Sequence, residues 1–376
     1  MKQRNVGIDI LRIVSMFFII IGHILMQGGV LSAFYNEGLQ GGYYFFNTVY
    51  VIAYCGVNCF ALVSGYVGWQ NTFRLEKIIK LWATVIFWSV GVSLVLFVYN
   101  KEFFSVKEAI SMCLPLVRGR YWFFNAYFVV FMFSPVLNHI IKTLPQKTYQ
   151  YFLLSVAFVF CVVPFLALGN DVLRIQNGFE FSWLMVMYLV GGYFSKYPVT
   201  VKKPYKCLVA FFSIILLNFV YKYLIELVTT RVLGVPSHGD LFMSYTSPVA
   251  VGEAVCLLLY FSNLNIKNRT PVKAISLVTP AIFSVYIIHV HPLVFWNILK
   301  DAFTWLTEYN LLVSFVLIIA ISLAIFIGCI ALDYIRIILF KILKINLLCD
   351  KLGENITKSI KKWCNYVNNK KKRNRT

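Results

Sequence analysis

Apolar stretches long enough to cross a bilayer alternate with shorter polar stretches along the whole chain. A transmembrane helix needs about 20 mostly apolar residues, each adding about 1.5 Å of length. Ten such windows occur, at 8–27, 43–67, 78–99, 121–141, 150–168, 181–195, 206–228, 246–262, 277–299 and 311–335. The pattern predicts an all-α polytopic membrane protein with about ten transmembrane helices in one bundle, and the window at 181–195 is the shortest.

The composition supports this fold class and excludes an ordinary soluble domain. Of the 376 residues, 60% are hydrophobic and only 13% are charged, whereas soluble domains have about 25% charged residues. The net charge is +20, and in a membrane protein an excess of Lys and Arg indicates orientation before it indicates nucleic acid. The nine cysteines are scattered without a CxxC pair. They are typical of small buried apolar residues, and no metal site is expected.

The distribution of Lys and Arg between alternate loops predicts the orientation. Basic residues are concentrated in the loops on the side of the N-terminus, and the loop at 100–120 is the exception. The positive-inside rule therefore predicts that both termini are cytoplasmic. Charges interrupt the first apolar stretch, so a cleavable signal peptide is not expected. We predict a membrane domain at 1–340 and a basic cytoplasmic tail at 341–376 that contacts anionic lipid, with RNA binding as the weaker alternative.

The first apolar window carries Asp9, Arg12 and His23. Ionisable residues are costly inside a spanning helix, so each is a candidate functional residue. Eleven positions separate Arg12 from His23, which puts both on one helix face about 16.5 Å apart along the axis. Asp9 precedes Arg12 by one turn and is placed to hold its guanidinium. The structural alternative is that Arg12 only reaches for the lipid headgroups and that His23 is a satisfied buried residue.

Two later windows carry ionisable residues at a matching depth. At about 1.5 Å per residue, His23 lies roughly 22 Å, His289 roughly 18 Å and Glu253 roughly 20 Å above the inner membrane edge. A carboxylate beside an imidazole raises its basicity, which favours general-base chemistry. We therefore predict a polar cluster of His23, Glu253 and His289 inside the bundle. The alternative is that Glu253 lines a watery outer vestibule and touches neither histidine.

Two further groups of residues suggest binding sites at opposite membrane faces. Arg74, Lys77 and Lys80 recur every third residue at the start of the third window. They suit phosphate groups, although most such loops only set the topology. At the start of the fourth window, the chain reads Arg120-Tyr121-Trp122 and then Asn125. Aromatic faces beside arginine suit a sugar, although an interfacial aromatic belt is the commoner explanation.

The Arg12-x10-His23 pair resembles the signature of the acyltransferase-3 family of integral membrane acyltransferases. The resemblance continues through Val63-Ser64-Gly65-Tyr66, the basic loop at 74–80, the RYWFFNAY stretch at 120–127 and the YIIHVHPL stretch at 286–293. It implies that His23 is catalytic with Arg12 as its companion. It also implies that acetyl-CoA is the acyl donor and that Ser64 and the basic loop take part in binding it.

By the same resemblance, the acceptor is a hydroxyl of a cell-surface or lipid-linked carbohydrate, and the protein resides in the bacterial cytoplasmic membrane. Polysaccharide-assembly proteins are then expected partners, and no cofactor is bound permanently. The chain departs from the usual arginine-x2-arginine loop motif, because Lys77 is the second member. Lysine keeps the charge but loses the bidentate geometry of arginine.

The reaction leaves two alternatives open for His23. It could deprotonate a sugar hydroxyl for attack on the thioester, or it could carry the acyl group itself. A hydrogen-bond donor must also stabilise the developing oxyanion, and Tyr286, Asn58 and Asn125 are the candidates. A transporter or flippase for a lipid-linked sugar is the competing function, since it would also use intramembrane charge and aromatic sugar contacts.

Overall fold

A computed structural model describes the backbone of residues 5–266 and 269–373, and the side chains of these residues except 269–271 and 364–373. The described part is helical and contains no β-strand. Its α-helices, numbered in chain order, are α1 (Val6–Met26), α2 (Val30–Asn36), α3 (Gly41–Tyr54), α4 (Gly56–Gly68), α5 (Leu75–Tyr99), α6 (Val106–Cys113), α7 (Trp122–Thr143), α8 (Gln146–Ala157), α9 (Val163–Leu166), α10 (Phe181–Lys196), α11 (Tyr205–Leu233), α12 (Pro248–Ser262), α13 (Arg269–Val278), α14 (Ile282–His289), α15 (Pro292–Val294), α16 (Leu311–Ile342) and α17 (Ile345–Arg373). The predicted all-helical architecture is confirmed.

Eight helical segments of the described chain are long and apolar enough to cross a membrane. They are Val6–Asn36, Gly41–Gly68, Leu75–Tyr99, Trp122–Thr143, Gln146–Leu166, Tyr205–Leu233, Val272–His289 and Leu311–Ile342. The predicted windows at 181–195 and 246–262 fall on α10 and α12, which have 16 and 15 residues. Both are shorter than the roughly 20 residues that a perpendicular span requires. The protein is therefore a multi-pass membrane protein: among the described residues, eight helical segments have the length and apolarity of a span, and the other two predicted windows fall on shorter helices.

Helix α1 lies at the centre of the bundle, in contact with α3, α4, α12, α14 and α16. Asn5 caps it by accepting a hydrogen bond from the Ile8 amide and by donating one to the Ser262 carbonyl. At Gly7 the backbone lies directly against the Phe261 carbonyl, where any side chain would collide. The N-terminal end of α1 is thus fixed to the C-terminal end of α12. We call the end of the bundle where α1 begins the near pole, and the end where α1 terminates the far pole.

Close backbone contacts join α4 to α10. Gly65 lies against the Tyr188 carbonyl, and Gly191 lies against the Leu62 carbonyl, with no room for a β-carbon at either position. Small residues allow helices in a membrane to approach closely enough for extensive van der Waals contact. This pair of glycines accounts for the tight packing of α4, and thereby fixes the side of α4 that faces α1.

The C-terminal tail is helical in its described part and is attached to α5. Lys80 on α5 forms an ion pair with Asp350 on α17, with 2.7 Å between Nζ and Oδ2. Gly353 packs against the backbone and side chain of Glu76 at the first turn of α5. The basic segment predicted at 341–376 therefore includes a long helix that packs at the near pole.

Candidate active site

A cavity of about 280 Å³ opens at the near pole between α1, α4, α5, α7 and α10. It is lined by Arg12, Ser64, Lys77 and Asn138, among other residues. Three residues that the sequence places in distant segments thus meet at one site: Arg12 from the first apolar window, Ser64 from the second and Lys77 from the basic loop. We call this space the near cavity.

The charges of the near cavity come from Arg12 and Lys77. Asp9 lies 3.8 Å from Arg12, measured from Oδ1 to Nη1, so the ion pair within α1 forms as predicted. The other two basic residues of the loop point elsewhere. Arg74 is largely exposed beside Glu76, and Lys80 is engaged by Asp350. Of the three basic residues, only Lys77 lines the near cavity.

A second cavity, of about 270 Å³, lies further along α1 and contains His23. Its walls are mostly aromatic and come from α1, α3, α4, α7, α14, two loops and the helical turn after α15: they include Tyr50, Tyr54, Trp122, Phe123, Phe179, Tyr245, Tyr286 and Phe295. We call this space the central cavity. The side of α1 that carries Arg12 in the near cavity also supplies Ile19, His23 and Met26 to the central cavity.

His23 is hydrogen-bonded to His289, with 3.0 Å between His23 Nδ1 and His289 Nε2. The other nitrogen of His289, Nδ1, lies 2.6 Å from the Val285 carbonyl oxygen. A carbonyl can only accept, so His289 Nδ1 must carry the proton. In the neutral pair, His289 Nε2 then accepts from His23 Nδ1, which leaves the lone pair of His23 on Nε2. The chain of hydrogen bonds therefore selects the tautomer in which His23 Nε2 is a base.

The hydroxyl of Tyr286 is a hydrogen-bond donor in the central cavity. Its oxygen accepts a hydrogen bond from the Phe123 backbone amide at 3.2 Å. Because that bond occupies an acceptor position, the Tyr286 O–H remains able to donate to a ligand. Tyr286 and His23 both line the cavity. The cavity thus presents a hydrogen-bond acceptor and a donor together, as a base and an oxyanion-stabilising group require.

An aromatic pair on α7 contributes one ring to each of the two cavities. Tyr127 lines the near cavity and Phe123 lines the central cavity. Their rings are nearly parallel, with centroids 5.9 Å apart. They are one helical turn apart on α7, so adjacent turns of this helix line the two cavities.

The predicted sugar-binding residues separate into two groups in the structure. Trp122 lines the central cavity and stacks with Tyr245, which in turn stacks with Tyr54. The Asn125 amide instead donates to the Leu116 carbonyl, and Tyr121 is buried against His291. Trp122 is therefore the member of this predicted set that faces the cavity with His23.

Arg120 belongs to a buried polar cluster behind the cavity. Its guanidinium forms an ion pair with Glu108 and contacts Ser93 at 3.0 Å and His291 at 2.9 Å. His291 lies two residues beyond His289, at the break between α14 and α15. The cluster thus holds the segment that carries His289, and Arg120 does not line the central cavity. The sequence expectation of direct sugar contact does not match this placement.

Glu253 does not join the two histidines, contrary to the predicted three-residue cluster. It is completely buried, and within the described chain neither of its carboxylate oxygens has a hydrogen-bond partner. Asn58 is also unavailable to the reaction, because its amide bridges the Tyr245 carbonyl and the Trp183 indole. The matching depths correctly bring His23 and His289 together, but equal depth does not bring Glu253 to the same place.

A larger space of about 800 Å³ opens at the far pole, and its residues were not singled out from the sequence. It shares Met26, Tyr50, Tyr54 and Phe179 with the central cavity, so the two are adjacent. We call it the vestibule. A signal for it was present in the sequence: Lys222 and Glu226 are separated by one turn within an apolar window, and charged residues inside a span are functional candidates.

Comparison with known protein families gives one result for this chain. The model of a family described as an acyltransferase domain, Acyl_transf_3, matches residues 5–334. The match includes α1 to α15 and most of α16, and with them all three cavities. Comparisons with curated proteins and with solved structures gave no match.

Proposed function

Because the chain belongs to the acyltransferase-3 family, we propose that it moves an acetyl group from acetyl-CoA at the near pole to a carbohydrate hydroxyl that enters from the far pole. The observation that carries this proposal is the arrangement along α1. One side of this helix contributes a cation to the near cavity and an imidazole base to the central cavity. A long, thin donor with an anionic end and a reactive end fits such an arrangement.

The donor is proposed to bind with its phosphates beside Arg12 and Lys77. Cationic side chains bind phosphate through charge-assisted hydrogen bonds. Ser64 lines the same cavity, but its hydroxyl donates to the Phe60 carbonyl and so offers its oxygen lone pairs. The near cavity alone is too small for the whole donor, so the pantetheine arm would extend past Phe123 and Tyr127 towards His23. The rise of about 16.5 Å between Arg12 and His23 suits that arm.

In the proposed reaction, His23 Nε2 accepts the proton of the sugar hydroxyl as the hydroxyl oxygen attacks the thioester carbonyl. The carbonyl oxygen becomes an oxyanion, which receives a hydrogen bond from Tyr286. Collapse of the tetrahedral intermediate breaks the carbon–sulfur bond. The proton held by His23 then passes to the departing thiolate, so the products are the sugar ester and free CoA. His289 keeps the His23 tautomer in the required form throughout.

The orientation and location follow from the same proposal. CoA is a cytoplasmic molecule, so the near pole would face the cytoplasm, as the distribution of basic residues predicts. The far pole would then face the cell exterior or periplasm, where the vestibule admits the acceptor. We place the protein in a bacterial cytoplasmic membrane, with anionic lipid around α17 and polysaccharide-assembly proteins as partners.

The test is acetyl transfer from radiolabelled acetyl-CoA to surface polysaccharide by membranes that contain this chain. Wild-type membranes should label the polysaccharide. The His23→Ala variant should lose activity by a factor of about 100 or more, the typical contribution of a general base. His139→Ala is the matched control, because His139 is an exposed histidine on α7 that lines none of the three cavities.

Two outcomes would contradict the proposal. One is unchanged labelling by a normally inserted His23→Ala protein. The other is transbilayer movement of a lipid-linked sugar without any use of the thioester, because a flippase does not require a CoA donor. Measurement of free thiol release alongside the labelling separates these results.

A further inference from the structure

The vestibule combines aromatic side chains with hydrogen-bonding groups in its walls. Four tyrosines line it: Tyr35, Tyr43, Tyr50 and Tyr54. The side chains of Asn47, Asn177 and Ser237 add amide and hydroxyl groups to the walls. Aromatic faces with interspersed hydrogen-bonding groups suit a carbohydrate, which has apolar C–H faces and polar edges. Its volume, about 800 Å³, is within the range of ligand-binding pockets.

The vestibule also has a defined charge. Glu226 and Asp240 both line it, whereas the cation that pairs with them, Lys222, does not. Lys222 Nζ lies 2.7 Å from Glu226 Oε1 and 2.8 Å from Asp240 Oδ1. Two carboxylates against one ammonium leave one negative charge. His238 is the one other ionisable group, besides tyrosines, among the described lining residues.

Glu226 is the residue of this group whose hydrogen bonding is incomplete. Its side chain is only 6% exposed. Oε1 is engaged by Lys222 and by the Tyr43 hydroxyl, which lies 3.4 Å away. Oε2 is buried and has no hydrogen-bond partner among the described residues. A buried carboxylate oxygen without a partner is costly, so the negative charge of Glu226 is incompletely compensated inside the protein.

The vestibule has a direct connection to the chemistry. The four residues that it shares with the central cavity lie between the vestibule and the cavity that contains His23. Two of them contact each other, since the Tyr50 hydroxyl lies 3.1 Å from Met26 Sδ. Met26 is on the last turn of α1, one turn beyond His23. Met26 and Tyr50 thus form the boundary that a hydroxyl of an acceptor in the vestibule would pass to reach the base.

We propose that the vestibule is the acceptor-binding subsite and that Glu226 and Asp240 make it selective for neutral or amino-bearing carbohydrates over anionic ones. The proposal rests on the acceptor side of the proposed function and names the class of acceptor. A neutral sugar donates a hydroxyl hydrogen bond to Asp240, whose side chain is 72% exposed, and an amino sugar adds ion pairing. A carboxylate or phosphate on the sugar would instead meet a like charge in a partly dehydrated site, where repulsion is stronger than in water.

The test measures binding without any acyl donor. The full chain in detergent micelles or lipid nanodiscs is titrated with three trisaccharides of similar size: maltotriose, the trimer of glucosamine and trigalacturonate. Quenching of tryptophan fluorescence reports on the site, because Trp122 lines the adjacent central cavity. We expect trigalacturonate to bind at least about tenfold more weakly than maltotriose, the effect of roughly one unfavourable charge contact in a partly buried site.

Charge-removing variants locate the source of the selectivity. Glu226→Gln keeps the shape and removes the negative charge, so it should narrow the difference between trigalacturonate and maltotriose by about fivefold or more. Asp240→Asn should narrow it too, and its exposed side chain makes a folding defect less of a concern. Glu308→Gln is the matched control, because Glu308 is an exposed carboxylate near the far pole that lines none of the cavities. The control should leave the difference unchanged.

Each other result overturns the proposal. Equal binding of trigalacturonate and maltotriose by the wild type would show that the vestibule does not select by charge. A difference that survives both Glu226→Gln and Asp240→Asn, or that Glu308→Gln also abolishes, would assign it to something other than these carboxylates. Failure of all three sugars to bind would show that the vestibule is not a carbohydrate-binding subsite. Because no acyl donor is present, a failure of acyl transfer itself would appear separately, as sugar binding without acetylation.

Discussion

His23 and His289 face each other across the contact between α1 and α14, with 3.0 Å between His23 Nδ1 and His289 Nε2. The Val285 carbonyl fixes the proton on the far nitrogen of His289, and this sets the direction of both hydrogen bonds. The result is a two-imidazole relay in which only His23 Nε2 is left as an available base. His289 acts in this relay through His23, and is therefore a positioning residue.

Replacement of His289 should show whether it positions the His23 imidazole or contributes to donor binding. In His289→Phe, His23 Nδ1 loses its acceptor and the imidazole can adopt the wrong tautomer, so kcat should fall by about 10- to 100-fold with little change in the KM for the donor. In His289→Gln, a side-chain carbonyl can still accept from His23 and should restore part of the rate. Steady-state kinetics of acyl transfer provide the measurement. Equal losses in both variants would indicate a purely structural role.

Removal of the Tyr286 hydroxyl should affect the transition state. In Tyr286→Phe, the developing oxyanion loses its proposed donor, so kcat should fall by about 10- to 1000-fold, as is typical for an oxyanion-stabilising group. The Phe123 amide also loses its partner, so the thermal stability of the variant must be measured alongside. Tyr334→Phe is the control, because Tyr334 donates to the Leu277 carbonyl and lines none of the cavities. A kcat for Tyr286→Phe near that of the wild type would show that Tyr286 is not the donor that stabilises the oxyanion.

The helical fold could be predicted from the sequence because hydropathy over about 20 residues is a local property. The break in the ninth window was less visible. There α13 and α14 are separated by a short 3-10 turn at Thr279–Ala281, and α14 ends at His289, just before Pro292. The pattern of apolar residues continues through these breaks, so hydropathy alone does not mark them.

The candidate site could be predicted from the sequence only for residues that share one helix, or that lie at the same depth on neighbouring helices. Arg12 and His23 share α1, and His289 meets His23 because residue number along a helix gives its depth. The sequence predicts the same depth for Glu253, but Glu253 makes no hydrogen bond to either histidine, because lateral position depends on how the helices pack. The aromatic residues that follow Arg120 in the sequence suggested that it contacts a sugar. In the structure, its ion pair with Glu108 instead connects α6 to the start of α7. Such lateral contacts are not encoded in a hydropathy pattern.

The two lysines at the start of α5 should differ in their effect on the donor. Lys77 lines the near cavity, whereas Lys80 pairs with Asp350 on α17. Lys77→Ala should therefore raise the apparent KM for acetyl-CoA by about 5- to 20-fold with a smaller change in kcat, since it removes an interaction with the donor phosphates. Lys80→Ala should change KM by less than about twofold, because Lys80 lines none of the three cavities and its ammonium is held by Asp350. Equal effects of the two substitutions on KM would show that a position in the near cavity does not determine which lysine binds the donor.

Glu253 provides the test of which buried charges serve the reaction. Its carboxylate is completely buried on α12, has no hydrogen-bond partner in the described chain and lines none of the three cavities. Burial of a carboxylate without partners is unfavourable, so an apolar side chain of similar length should be tolerated or preferred. We expect Glu253→Met to retain acyl transfer within about twofold and to unfold at the same or a higher temperature, since it removes a buried polar group. Thermal unfolding in detergent and kinetics on the same preparation measure both effects. Loss of kcat in a stable, normally inserted Glu253→Met protein would show that this carboxylate takes part in the reaction. A proton path from α12 to His23 would then be required.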